Sequence, residues 1–142
     1  MRLTQFINES SVKTKSMTIK VTKPSRASNQ VLVNVNTKVF DKAFSRDRDM
    51  YIGVKGKGGI GKRYEMFDTF VKGGMIDIGG VDIHQDPTPS IESPEVDVDI
   101  NGNVSFTNGR HRWAWLRDQG AKIIPVAMMK SSVVNAKKFG MI

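Results

Sequence analysis

The stretch TNGRHRWAWLRDQGA, residues 107–121, contains the contiguous triplet Arg110-His111-Arg112. Its pattern predicts the start of a helix, where cationic side chains oppose the helix macrodipole. A bound anion would remove the conflict, because helix N-termini present backbone N–H groups, glycine permits close approach, and arginine binds phosphate through paired hydrogen bonds. The histidine could donate one hydrogen bond or carry a proton. We therefore predict a phosphate-binding site made of five consecutive residues: Asn108, Gly109, Arg110, His111 and Arg112.

The two arginines also have a structural alternative. Arg110 and Arg112 could form ion pairs with the acidic side chains of the preceding segment, which are Glu95, Asp97 and Asp99. In that arrangement the arginines would stabilise the fold and bind no ligand. The sequence leaves both arrangements open.

A second glycine-rich segment, GKGGIGKR at 56–63, has the Gly-x-x-x-x-Gly-Lys spacing of a P-loop. Arg63 stands where a P-loop has the Ser or Thr that binds magnesium, and the preceding residues form a poor buried strand. We predict a basic loop instead of a P-loop ATPase. Its cations Lys57, Lys62 and Arg63 could act as accessory contacts to the same anion.

Asp82, His84 and Asp86 alternate along VDIHQD and would share one face of a strand. Carboxylate and imidazole groups together suit several divalent metals. A nuclease or a nucleotide phosphohydrolase would need such a metal or a general base, so the triplet is a candidate metal site. The alternative is an exposed turn ahead of Pro87. No catalytic residue can be assigned from the sequence, and the cofactor classes it suggests are a nucleotide and a divalent metal.

Composition restricts the class of protein. The 142 residues, 39% of them hydrophobic and 25% charged, are typical of one soluble globular domain. The absence of cysteine excludes thiol nucleophiles, disulfides and thiolate metal sites. No apolar run approaches the ~20 residues of a membrane span, and the N-terminus is too polar for a signal peptide. We expect a cytoplasmic protein with no membrane partner.

The net charge of +8 is unevenly distributed. Residues 1–72 contain 15 Lys and Arg against 6 acidic residues, whereas residues 73–142 contain 7 against 8. A basic half attracts polyanions such as nucleic acid. The alternative is a solvated basic surface without a ligand.

The elements that must position these residues follow from hydropathy patterns. Residues 1–16 are polar and weakly periodic, which predicts a flexible arm that a protein partner could bind. Residues 17–142 would form a single domain. Alternating apolar residues predict strands at 17–23 and 30–40, and helical spacing predicts a helix within 63–74.

The segment before the arginines has the clearest pattern. Alternation over 94–106 predicts a β-hairpin closed by a type I′ turn at Asn101-Gly102. The side chains expected on the buried face of this hairpin are Val96, Val98, Val104 and Phe106.

The arginine segment itself predicts a helix with defined ends. Asn108 is the expected N-cap and Gly120 the expected C-terminal glycine. One helix face cannot bury both Trp113 and Trp115, so one of them could be exposed and stack on a base, or could be a partly buried surface tryptophan. An apolar strand at 122–128 and a short C-terminal helix would follow.

Residues 96–128, VDVDINGNVSFTNGRHRWAWLRDQGAKIIPVAM, resemble the ParB/sulfiredoxin-like superfamily, and in particular its ParB-like nuclease domains. Shared features are a hairpin, a Gly-Arg-His-Arg helix start and an Ile-Pro-Val strand. The resemblance implies an α+β fold with a small mixed sheet and helices, and nucleotide or DNA as ligand. Gly109 to Ala114 depart from the ParB motif Gly-Glu-Arg-Arg-x-Arg, and the lack of cysteine excludes sulfiredoxin chemistry.

Three functions follow from these observations. The first is a nucleic-acid- or nucleotide-binding domain that grips phosphate at the predicted site. The second is a nuclease or nucleotide phosphohydrolase that uses the same site. The third is a structural or adaptor protein that retains the fold without catalysis.

Overall fold

A computed structural model describes residues 9–15, 17–56, 81–82 and 90–142. Over these residues the chain is an α+β protein with two four-stranded mixed sheets and three α-helices, which confirms the predicted fold class. The helix expected within 63–74 lies outside the described residues.

The first sheet has the strand order β1-β2-β5-β4. Strands β1 and β2 form an antiparallel hairpin, β2 is parallel to β5, and β4 is antiparallel to β5. The alternation that predicted a strand at 17–23 buries Ile19 and Val21 completely in this sheet. The strands are β1 Glu9–Lys13, β2 Thr18–Thr22, β4 Val81–Asp82 and β5 Ser90–Glu92.

Strand β1 differs from the flexible arm predicted for 1–16. Its residues pair with β2 in register, with Val12 opposite Ile19, and Val12 is only 1% exposed. One buried valine between polar neighbours gives too weak a periodicity to be recognised in the sequence, but it suffices for a strand once β2 offers a hydrogen-bonding edge.

The second sheet has the strand order β3-β8-β6-β7 and carries the segment with the arginines. Strand β8 lies between β3, to which it is antiparallel, and β6, to which it is parallel. Strands β6 and β7 are the predicted hairpin. The strands are β3 Val31–Asn36, β6 Glu95–Val98, β7 Val104–Asn108 and β8 Ile123–Met128.

The hairpin turn differs from the predicted type I′ turn. Gly102 has φ +79°, but Asn101 does not have a positive φ, and a type I′ turn needs both. The loop is longer, with Asp99 and Asn103 closing it through Asp99 N–H to Asn103 O at 3.0 Å. The Asp99 carboxylate accepts hydrogen bonds from the backbone N–H groups of Asn101 and Asn103, and the bond from Asn103 is the main reason that its pKa is lowered. Of the apolar residues predicted to be buried, three are buried and Phe106 is half-buried.

Helix α1, Thr37–Phe44, begins inside the strand predicted for 30–40. Asn36 ends the strand because its side chain accepts a hydrogen bond from Val39 N at 3.0 Å and so caps the helix. Phe40 and Phe44, one turn apart, are fully buried and pack on the hairpin through Phe106.

Helix α2, Arg110–Asp118, contains the arginines, and helix α3 spans Lys130–Lys138. Trp113 and Trp115 are both buried, at 0% and 1% exposure, so the prediction that one of them would be exposed or only partly buried was wrong. The four residues Trp113 to Leu116 are all buried, which shows that α2 is covered on more than one face. Other elements therefore cover both tryptophans, although they lie on different faces of the helix.

Gly120 ends helix α2 as predicted. It has φ +85°, and the following bonds, Gly120 N–H to Arg117 O and Ala121 N–H to Leu116 O, satisfy carbonyls of the last turn. The chain then enters β8 directly, which confirms the predicted strand at 122–128. In the part of the chain that the structure describes, no helix is long and apolar enough to cross a membrane.

Candidate anion site at the start of helix α2

The helix N-cap is Gly109 and not Asn108 as predicted. Gly109 has φ +86° and ψ +19°, and α2 has no side-chain capping hydrogen bond. A Cβ built on this residue would lie 2.8 Å from Pro94 Cα and 2.8 Å from an Arg112 side-chain nitrogen. The left-handed conformation and the lack of space therefore both require glycine. Asn108 is instead the last residue of β7, opposite Glu95.

Arg110 is half-buried in the first turn of α2. Its Nη1 donates to the backbone carbonyl of Met50 at 2.9 Å. No carboxylate among the described residues forms an ion pair with it. The first turn also contains no acidic residue, so the positive end of the helix dipole and the guanidinium charge lie together.

Arg112 has a different position from Arg110. Its side chain is only 5% exposed and lies over Gly109, where it occupies the space that a Cβ would need. His111, between the two arginines, is half-buried. The RHR cluster thus consists of two half-buried side chains, Arg110 and His111, and one guanidinium, that of Arg112, packed into the turn.

The acidic residues that could have paired with the arginines contact other groups. Glu95, 5% exposed, accepts hydrogen bonds from Arg26 Nε at 3.2 Å and Nη2 at 3.0 Å. Asp97 accepts from the Thr107 hydroxyl, and Asp99 is held in the hairpin turn. The structural alternative for Arg110 is therefore not observed among these carboxylates.

Arg26 was not identified from the sequence. It precedes Glu95 by 69 positions, and its guanidinium also contacts Glu92 at 3.4 Å. Burial acts to lower the pKa of Arg26, but the hydrogen bond and charge of Glu95 outweigh burial and raise the pKa. Because Glu95 lies opposite Asn108, this ion pair places a further arginine beside the strand that leads into the candidate site.

The opposite end of α2 contains a polar network that also has no sequence signal. Arg117 donates to Asp41 Oδ1 and to Asp118 Oδ1, each at 3.0 Å, and to the backbone carbonyls of Ile52 and Gly53. Asp41 also accepts from Trp113 Nε1 at 2.9 Å. This network fixes α1 and the segment after it against α2.

Tyr51 belongs to the same network. Its hydroxyl donates to Asp41 Oδ2 at 2.7 Å, and its ring lies 5.7 Å from the Arg117 guanidinium carbon. Burial of the phenol, followed by the hydrogen bond to the Asp41 carboxylate, raises the pKa of Tyr51 to about 12.

The remaining candidate residues lie mostly outside the described part of the chain. Lys57, Lys62, Arg63, His84 and Asp86 are not described, and Asp82 is described only as part of strand β4. Across 9–15, 17–56, 81–82 and 90–142, no group of three His, Cys, Asp or Glu residues could hold a metal ion. The accessory cations and the metal triplet stay predictions.

The fold is similar to that of a solved structure. That structure is the oncogenic suppression activity protein, a plasmid fertility inhibition factor, crystallised as a gold(I) cyanide derivative. The TM-score is 0.64 at 19% sequence identity, and the match covers 100% of this chain and 77% of that chain. At this level of identity, the similarity shows the fold alone.

A protein-family model matches half of the chain and identifies its family. The model of the plasmid fertility inhibition factor family matches residues 68–138, which are half of the chain. The chain therefore belongs to this family. The matched region includes the hairpin, α2, β8 and α3. No curated protein matches the sequence, and no comparison points to the ParB/sulfiredoxin-like superfamily, so that resemblance stays a prediction.

Proposed function

We propose that this protein inhibits plasmid fertility and that it does so by binding a phosphate-bearing ligand, nucleic acid or nucleotide, at the start of helix α2. Fertility inhibition comes from the family description. The ligand class comes from the chemistry of the residues Asn108 to Arg112 and from the resemblance of their sequence to phosphate-binding domains.

The observation that carries the proposal is the position of Arg110. A half-buried guanidinium stands at the positive end of a helix dipole, with one hydrogen bond to a carbonyl and no ion pair to a described carboxylate. An arginine uses the remaining donors of its planar fork best on a phosphate or carboxylate oxygen. The start of α2 beside it has no side-chain cap, and the backbone N–H groups of a helix N-terminus favour an anion.

The charge of the whole chain supports the same ligand class. With a net charge of +8 and a pI near 9.9, the chain attracts polyanions over a distance set by the ionic strength. Such attraction would raise the rate of association with nucleic acid, while the turn would provide the specific contact to phosphate.

The test is a titration of the protein with a short DNA duplex and, separately, with a nucleoside triphosphate. We expect Arg110→Ala to weaken binding of the preferred ligand by about 1.5–3 kcal/mol, the value of a charge-assisted hydrogen bond. The matched control is Lys38→Ala, which removes one exposed cation from α1 and should change the affinity for DNA only through net charge. Measuring affinity at several salt concentrations separates loss of a phosphate contact from a change in net charge. Each lost phosphate contact lowers the slope of log affinity against log salt concentration by about 1.

Two results would contradict the proposal. One is the absence of measurable affinity for both ligands. The other is an equal loss of affinity in Arg110→Ala and Lys38→Ala, which would show that binding depends on the net charge of the protein and not on the α2 turn.

A further inference from the structure

Residues 50–55 follow helix α2 from its first turn to its last, and we call them the strap. At the first turn, Arg110 Nη1 donates to Met50 O at 2.9 Å. At the last turn, Arg117 Nη2 donates to Gly53 O at 2.8 Å. The contacts occur in the same order along the strap and along α2, so the strap connects the two arginines.

The two arginines lie on one face of α2. They are seven positions apart, which is close to two helical turns and a rise of about 10.5 Å. Three residues of chain span about 10 Å, so the step from Met50 to Gly53 matches that rise. Trp113 lies between the arginines on the same face and donates from Nε1 to Asp41 Oδ1 at 2.9 Å. One face of α2 thus contacts the strap and α1 from one arginine to the other.

The strap is fixed most firmly beside the last turn of α2. Arg117 donates to the carbonyls of Ile52 and Gly53, and the side chain of Ile52 is fully buried. The N–H of Lys55 donates to Asp118 Oδ2 at 2.9 Å, and Lys55 has a φ of +60°, a conformation that few non-glycine residues adopt. Side chains of α2 therefore hold the strap from residue 52 to residue 55.

The Met50 end of the strap forms a local turn. Met50 N–H donates to Asp47 Oδ1 at 3.2 Å, and Tyr51 N–H donates to Asp47 O at 2.9 Å. These bonds fix the peptide group that contains the Met50 carbonyl but do not join it to α2. The position of that carbonyl relative to α2 therefore depends on the strap carbonyls that follow it and that Arg117 binds.

We propose that Arg117 is a positioning residue for Arg110 and acts through the strap. By binding two strap carbonyls, Arg117 holds the Met50 carbonyl at the start of α2, where it orients the Arg110 guanidinium and leaves the other donors of that group for the ligand. An arginine that is already ordered loses less side-chain freedom when it binds a phosphate. The inference rests on the proposed function, because it assigns Arg110 the same phosphate-bearing ligand.

The first measurement needs no ligand. Arg117→Lys keeps a positive charge beside Asp41 and Asp118, but an ammonium group lacks the planar fork that binds two carbonyls at once. We expect the NMR order parameter of the Arg110 Nε–H group to fall in this variant, because the Met50 carbonyl is held less firmly.

The matched control is Arg46→Lys, which makes the same change at an arginine away from the strap. Arg46 Nη2 also donates to a backbone carbonyl, that of Gly102, at 2.8 Å. This control variant should leave the order parameter of Arg110 unchanged.

The second measurement is a double-mutant cycle with the short DNA duplex or the nucleoside triphosphate, whichever binds the wild type more tightly. Arg117→Lys should weaken binding about three- to tenfold, and Arg46→Lys by less than about twofold. In an Arg110→Ala background, Arg117→Lys should cause no further loss of affinity, because no guanidinium remains to be positioned. A residue that only stabilises the fold would cause the same change in both backgrounds.

Tyr51→Phe is a second variant that loosens the strap and changes no charge, since the Tyr51 hydroxyl donates to Asp41. Its loss of affinity, at least about twofold, should also disappear in the Arg110→Ala background. This second cycle decides the question if Arg117→Lys does not fold.

Two results would overturn the inference and leave the proposed function standing. One is an Arg110 order parameter that is the same in Arg117→Lys as in the wild type. The other is a loss of affinity that persists when Arg110 is already alanine. If neither probe binds the wild type, the proposed function fails and the inference fails with it.

Discussion

The two ends of helix α2 have arginines in opposite electrostatic surroundings. At the C-terminal end, Arg117 lies where the helix dipole favours a cation, and two carboxylates and two backbone carbonyls bind its guanidinium. At the N-terminal end, Arg110 lies where the dipole disfavours a cation, and among the described residues its guanidinium donates one hydrogen bond, to the carbonyl of Met50.

The difference separates an arginine that stabilises the fold from one for which we propose a ligand. Arg117 has 9% of its side chain exposed, and removing it would break its ion pairs with Asp41 and Asp118. Arg110 leaves no described carboxylate behind when it is removed. Arg112 resembles Arg117 in being buried and Arg110 in lying near the N-terminal end, where it fills the space over Gly109.

The largest expected effect is at Arg117. We expect Arg117→Met to lower the free energy of unfolding by about 3–5 kcal/mol, as when one partner of a buried ion pair is removed. The matched variant is Arg110→Met, which should change stability by less than about 1 kcal/mol, because relief at the positive end of the dipole offsets one lost hydrogen bond. Urea denaturation of both variants measures the contrast, and equal losses would show that both arginines are structural.

The next effect concerns the glycine that forms the turn. Gly109→Ala should cost about 2–3 kcal/mol, since the new Cβ meets the backbone at Pro94 in a left-handed conformation. The control is Gly140→Ala, where φ is +74° but nothing lies within 4 Å of the new Cβ. That variant should lose only about 1 kcal/mol from backbone strain. Similar losses at both positions would show that the turn before α2 is not tightly packed.

Short-range sequence patterns predicted the elements that border α2 on both sides. The hairpin before α2 follows from alternation of apolar residues, and Gly120 after α2 follows from C-terminal helix signals, and each of these patterns spans only a few residues. The location of the RHR cluster at a helix start follows for the same reason. The turn type of the hairpin and the capping residue of α2 were wrong, because the φ angles of Asn101 and Gly109 cannot be read from the sequence.

The contacts of the C-terminal end could not be predicted, because their partners are distant in the sequence. Asp41 precedes Arg117 by 76 positions. The Arg26–Glu95 pair, which lies near the other end of α2, has the same property, because its members are 69 positions apart. Neither pair has a periodicity or a motif that connects its members. The burial of both tryptophans has the same origin, since it depends on elements that cover α2 from more than one side.

The smallest effect is a dependence on alkaline pH at the C-terminal end. The Tyr51 hydroxyl donates to Asp41, and its pKa of about 12 in the folded protein exceeds its ordinary value of 10.0. A pKa that is raised by folding contributes stability that is complete below the ordinary value and is lost as the pH rises through the folded value. The stability advantage of the wild type over Tyr51→Phe should therefore shrink between pH 10 and pH 12.

Urea denaturation of both proteins at several pH values across this window measures that advantage, and titration of the lysines cancels because the two proteins share them. Arg110→Met provides the comparison with the other end of α2. Its free energy of unfolding should fall with rising pH as much as that of the wild type, because Arg110 has no contact with Tyr51 in the described network. An advantage that stays constant from pH 9 to pH 12 would mean that neither burial nor the Asp41 carboxylate raises the pKa of Tyr51. The assignment of this end as a structural network would then rest on Arg117 alone.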